Sequence, residues 1–116
     1  MLILAIILFA VGAIFGLIIL TSFLKGGATP KGAVVVHGIL VVIALILVIV
    51  FTVSHQPAPI TALILFIITG LGGITLFAID MSKKPLPKFL AFLHPILAVI
   101  SLILLIIWVA SPHGVA

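Results

Sequence analysis

Histidine changes charge near neutral pH and is the commonest metal ligand among the side chains. This chain sets two histidines in matching apolar surroundings. The stretch "TPKGAVVVHGILVV", residues 29–42, carries His37 seven residues after Pro30. The stretch "LPKFLAFLHPILAV", residues 86–99, carries His94 seven residues after Pro87. Two such imidazoles can hydrogen-bond neighbouring helices, carry protons, or hold one metal from two sides. The remaining inventory narrows the chemistry. The chain contains no cysteine and no arginine, and Asp80 is its only acid. Disulfides, thiolate chemistry, iron–sulfur clusters and paired-carboxylate catalysis are therefore excluded for its own residues.

The elements that carry these histidines follow from composition. Of 116 residues, 66% are hydrophobic and 5% are charged, and the mean hydropathy is +1.78. A soluble domain of this size has no interior large enough for so much apolar surface. Four windows have the length of a membrane-spanning helix, about 20 residues each. They are Leu2–Leu24, Ala33–Val53, Ile60–Ile79 and Phe89–Ala110. A lone apolar segment in lipid must satisfy its own backbone hydrogen bonds, which selects the helix even where β-branched residues are dense. The first window has no basic stretch before it and is too long for a signal-peptide core, so it reads as a span.

The five lysines orient the spans. Lys25 and Lys31 fall between spans one and two, and Lys83, Lys84 and Lys88 between spans three and four. The positive-inside rule makes those two loops cytoplasmic and puts both termini outside. A bacterial inner membrane is the expected location. The charge of +4 makes no patch suited to nucleic acid.

The sequence also repeats. A shift of 57 residues superposes Pro30 on Pro87, Lys31 on Lys88 and His37 on His94, and 11 of the 23 positions from 29 to 51 are identical to their partners. Ala5/Ala62, Phe9/Phe66 and Gly16/Gly73 coincide as well. The expected fold is an all-α integral membrane protein: one four-transmembrane-helix bundle over residues 1–116, built from two tandem helical-hairpin repeats, 2–58 and 59–115. An even number of spans per repeat predicts a pseudo-two-fold axis along the membrane normal. Both histidines then lie about 10 Å inside the lysine face, at 1.5 Å per residue. Coiled-coil steps from His37 reach Val41, Ala44 and Val48; from His94 they reach Ala98, Ser101 and Leu105. Small residues on both seams mark them as inward-facing.

Intramembrane ionisable groups are costly and usually functional. Two facing imidazoles at one depth suit a b-type haem, with His37 and His94 as axial ligands of its iron. Gly16 and Gly73, in the layer of Gly12, Thr69, Gly70 and Gly72, leave room for a porphyrin, while Lys31 and Lys88 can snorkel to its propionates. Pro95 frees the carbonyl of Ala91, a candidate acceptor for the His94 ring. Gly38 stands at the matching place, so the two sites are expected to differ. His55 and His113, in "SHQP" and "SPHG", do not match in the repeat and read as interfacial.

In plan the chain resembles the four-helix, bis-histidine membrane cytochromes b of the cytochrome b561-like kind, on the strength of His37, His94 and the glycines. The resemblance implies electron transfer by haem b in the lipid bilayer. Quinol or another redox protein would be the partner, and self-association stays open. Two other classes remain: a small transporter using the intramembrane histidines, and an accessory subunit of a larger complex. The transporter class is disfavoured because span one lacks a carboxylate and Asp80 is within reach of Lys83 and Lys84.

Overall fold

The computed structural model describes residues 1–112. It contains four helices: α1 (Leu2–Leu24), α2 (Lys31–Ser54), α3 (Ile60–Met81) and α4 (Lys88–Ala110). No strand occurs among the described residues. Each helix is long and apolar enough to cross a membrane, and the protein is an all-α integral membrane four-helix bundle. His113 lies outside the described residues.

Three helices start directly after a proline, at Pro30, Pro59 and Pro87. Proline has a preset φ and no N–H to leave unsatisfied in the first turn. The Pro30 carbonyl then accepts from Val34 N–H and the Pro87 carbonyl from Ala91 N–H, each at 3.0 Å. These caps extend α2 and α4 outward to Lys31 and Lys88, beyond the purely apolar windows. Lysine tolerates that position because its stem is apolar and its ammonium reaches the interface.

The helices run alternately up and down. Neighbours around the axis are α1–α2–α3–α4, closed by α4 against α1, and packing is most intimate within the hairpins α1/α2 and α3/α4. Helices α1 and α3 face each other across one diagonal, α2 and α4 across the other. Large apolar side chains such as Ile3, Leu17, Val53, Ile74 and Phe89 point outward, as expected where lipid is the solvent.

The interior is built from residues 57 apart. Phe9 and Phe66 stack across the α1/α3 diagonal, with ring centroids 3.9 Å apart and planes 3° from parallel. Ala5 and Ala62, Ala44 and Ser101, and Val48 and Leu105 are all buried. Lipid removes most of the hydrophobic drive between helices, so association depends on close packing, and small residues permit it. At the far end Phe51 of α2 meets Trp108 of α4 edge to face, centroids 5.8 Å apart.

Candidate functional site

His37 and His94 come together as the sequence spacing predicts. Their ring centroids are 6.3 Å apart and their planes cross at 82°. Each belongs to one hairpin, so the boundary between the hairpins passes between the two rings.

A carbonyl on the opposite helix of its own hairpin orients each ring. His37 Nδ1 donates to the Gly12 carbonyl at 2.8 Å, and His94 Nδ1 donates to the Thr69 carbonyl at 2.9 Å. A carbonyl can only accept, so Nδ1 carries the hydrogen and Nε2 keeps its lone pair. Nε2 has no hydrogen-bond partner among the described residues in either ring. Acceptor and histidine are 25 residues apart in both cases, and Gly12 and Thr69 are themselves a 57-residue pair. This corrects the expectation from Pro95: the acceptor for His94 is on α3 and is not Ala91. Both rings use the same kind of acceptor, although Gly38 stands opposite Pro95.

Glycine makes those carbonyls reachable. A helical side chain leans over the turn N-terminal to its own Cα, so the residue four positions on covers a given carbonyl. Gly16 follows Gly12 by four, and Gly73 follows Thr69 by four. A Cβ at Gly16 would lie 3.1 Å from His37 Cε1, and one at Gly73 would lie 2.9 Å from His94 Cε1. The space expected to flank a porphyrin is thus taken by the imidazoles themselves, lying on bare backbone. A Cβ at Gly70 would meet nothing within 4 Å, and one at Gly72 would make only ordinary contacts. The glycine-rich layer of α3 therefore divides by face. The signal for the acceptors was present in the spacings Gly12/Gly16 and Thr69/Gly73, which read in the sequence as room for a porphyrin.

The rim is asymmetric. Lys31 Nζ donates to Asp80 Oδ2 at 2.6 Å and to Thr29 Oγ1 at 2.8 Å, while Thr29 Oγ1 donates to Asp80 Oδ2 at 2.7 Å. Asp80 at the end of α3 is thus tied to the start of α2, rather than to Lys83 or Lys84 beside it. Phe23 occupies the position 57 residues before Asp80, so Lys88 has no counterpart acid, and it forms no ion pair among the described residues. His55 is remote from the pair. It stacks on Phe51 with centroids 4.2 Å apart, and its Nδ1 lies 3.2 Å from the Phe51 carbonyl.

The spacing of the rings bounds what the pair can hold. Two imidazoles binding one ion in line, each through a metal–nitrogen bond of about 2.0 Å, place their centroids roughly 6 Å apart, whereas a tetrahedral ion draws them to about 5 Å. The observed 6.3 Å fits the linear arrangement. No group of three or more His, Cys, Asp or Glu side chains suited to a metal occurs among the described residues. A six-coordinate ion at this place would need its other ligands from outside the chain. Near the same level, an apolar groove of about 360 Å³ opens at the α1/α4 seam, lined by Leu20, Phe92, Pro95, Ile96, Val99 and Ile100. No protein-family model, curated protein or solved structure matches the chain.

Proposed function

We propose that the protein is a small membrane cytochrome that holds one b-type haem between His37 and His94. The observation carrying this reading is the 6.3 Å spacing of two imidazoles whose Nδ1 atoms are both tied to backbone carbonyls. That arrangement leaves two Nε2 lone pairs for one iron, and the macrocycle would supply the four ligands that the chain lacks. Bound haem would supply one-electron chemistry, its iron alternating between the ferric and ferrous states.

The chain's own residues bind and orient. The carbonyls of Gly12 and Thr69 fix the tautomers and raise the basicity of the ligating nitrogens. Gly16 and Gly73 seat the rings. A flat group between the hairpins would have its edges at the α1/α4 and α2/α3 seams, where packing is lighter than within the hairpins. Lys88 is the cation free for a propionate, and Lys31 is shared with Asp80. The lysine end faces the cytoplasm of a bacterial inner membrane on the positive-inside rule. The site lies nearer that face, which suits exchange of electrons there with quinol or a redox protein.

Haem titration of the apoprotein in detergent tests the reading. Wild type should saturate at one haem per chain with a low-spin, six-coordinate spectrum. His37→Ala and His94→Ala should each lose the six-coordinate band, because each would remove one of the two axial nitrogens. A wild type that takes up no haem would refute the reading.

A further inference from the structure

Five lysines share one end of the bundle, and the chain has a single acidic side chain to meet them. That acid, Asp80, is taken by Lys31 and Thr29 at 2.6 and 2.7 Å. Lys25, at the end of α1, forms no ion pair among the described residues. Beside it a groove of about 430 Å³ opens along the last two turns of α1, lined by Leu17, Ile18, Thr21, Ser22, Lys25 and Pro30. From Leu17 to Lys25 the helix rises about 12 Å, at 1.5 Å per residue. The lining changes over that rise. Leu17 and Ile18 are apolar and exposed at the deep end, the hydroxyls of Thr21 and Ser22 follow, and Lys25 stands at the rim.

The turn after α1 shapes the groove. Ser22 Oγ donates to the Ala28 carbonyl at 2.8 Å, and Gly27 N–H donates to the Ser22 carbonyl at 3.1 Å. Thr21 Oγ1 donates to the Leu17 carbonyl at 2.8 Å. Both hydroxyl hydrogens are therefore spent, and the two oxygens can only accept from a ligand. The 57-residue repeat breaks here. Thr21, Ser22 and Lys25 stand where the second hairpin has Ala78, Ile79 and Ser82, so the second hairpin offers no cation at the matching place.

We infer that this groove seats one anionic phospholipid per chain, with its phosphate on Lys25, the hydroxyls of a glycerol headgroup donating to Thr21 and Ser22, and an acyl chain along Leu17 and Ile18. The apolar half of the groove selects a lipid over free phosphate, which has nothing to place there. Charge selects an anionic lipid over a zwitterionic one, because a choline headgroup would bring a second cation to Lys25. Phosphatidylglycerol supplies both the negative charge and the hydroxyl donors. Occupancy of the groove is independent of haem.

Native mass spectrometry of the full chain in detergent, titrated with phosphatidylglycerol or phosphatidylcholine, tests this. Wild type should retain one phosphatidylglycerol, at least about fivefold more tightly than phosphatidylcholine, the gain of one lysine at an anionic surface. Lys25→Gln should lower phosphatidylglycerol affinity by about fivefold or more. Thr21→Phe should also lower it, by filling the groove while leaving every charge in place. Lys84→Gln, on the same face but outside the groove, should bind as wild type does. All three side chains are exposed, so the bundle tolerates each change. Equal affinity for the two lipids overturns the inference. So does an equal loss in Lys25→Gln and Lys84→Gln with none in Thr21→Phe, the mark of diffuse attraction to the lysine face. Either result leaves the haem reading standing.

Discussion

At the scale of single residues, the site depends on what glycine omits. His37 and His94 could satisfy Nδ1 only if a helix carbonyl were uncovered, and Gly16 and Gly73 uncover one each. A bulky side chain at either place should displace the ring and break its hydrogen bond. Gly73→Leu should therefore weaken haem binding by about 10- to 100-fold, the usual cost of losing a partner behind a metal ligand. Gly70→Leu, three residues away on the lipid-facing side of the same helix, should bind haem as wild type does. Haem titration of both variants checks the contrast, and equal losses would show that general packing is responsible. A second residue-scale case is Leu105, fully buried beside Val48. Leu105→Ala removes contacts that lipid cannot replace inside the bundle, and should cost roughly 2–4 kcal/mol in a detergent unfolding assay. The histidines were legible in the sequence because Pro-Lys-(five residues)-His is an improbable repeat in so apolar a chain. Their acceptors were harder to read: glycine four residues after Gly12 and Thr69 marks an uncovered carbonyl, but which ring reaches it depends on how the hairpin closes.

At the scale of elements, hydropathy alone located all four helices, and the boundaries moved by one or two residues, at the starts of α2 and α4 and at the ends of α2 and α3. The prolines before α2 and α4 set helix starts that a purely apolar window misses by a residue or two. The pairing of Asp80 was misjudged for a related reason. Sequence proximity favoured Lys83 and Lys84, but helix packing brings the end of α3 to the start of α2, where Lys31 and Thr29 close around the carboxylate. The Lys31 side chain is 58% exposed in that pair, so solvent screens it and the bond contributes about 1 kcal/mol or less. Asp80→Asn should lower unfolding stability by no more than that and leave haem content unchanged, as measured by thermal melting and haem-to-chain ratio. His55 belongs to the same scale. It ends α2, stacks on Phe51 and stands far from the histidine pair, so His55→Ala should retain the full haem complement. A halved haem content would place a second cofactor at the outer end.

At the scale of the whole molecule, the 57-residue offset organises the interior. Phe9 stacks on Phe66, Phe51 meets Trp108 edge to face, Gly12 matches Thr69 as an acceptor, and His37 faces His94. The Phe9/Phe66 and His37/His94 pairs were readable as a spacing before any contact was known. The sequence did not reveal that each histidine is secured within its own hairpin, so that the two rings confront each other across the hairpin boundary. The distribution of lysines makes one further prediction at this scale. A periplasm-dependent reporter fused after Ala116 should be active, and activity confined to a cytoplasm-dependent reporter would reverse the orientation.

Joint ligation of one haem iron by His37 and His94 can be read from the visible absorption spectrum of protein made with haem available. Wild type should show a sharp low-spin Soret band, at one haem per chain, that is absent from the His37→Ala, His94→Ala double variant while that variant still inserts as a folded helical protein. A colourless wild type, or a double variant with an unchanged Soret band, would contradict it.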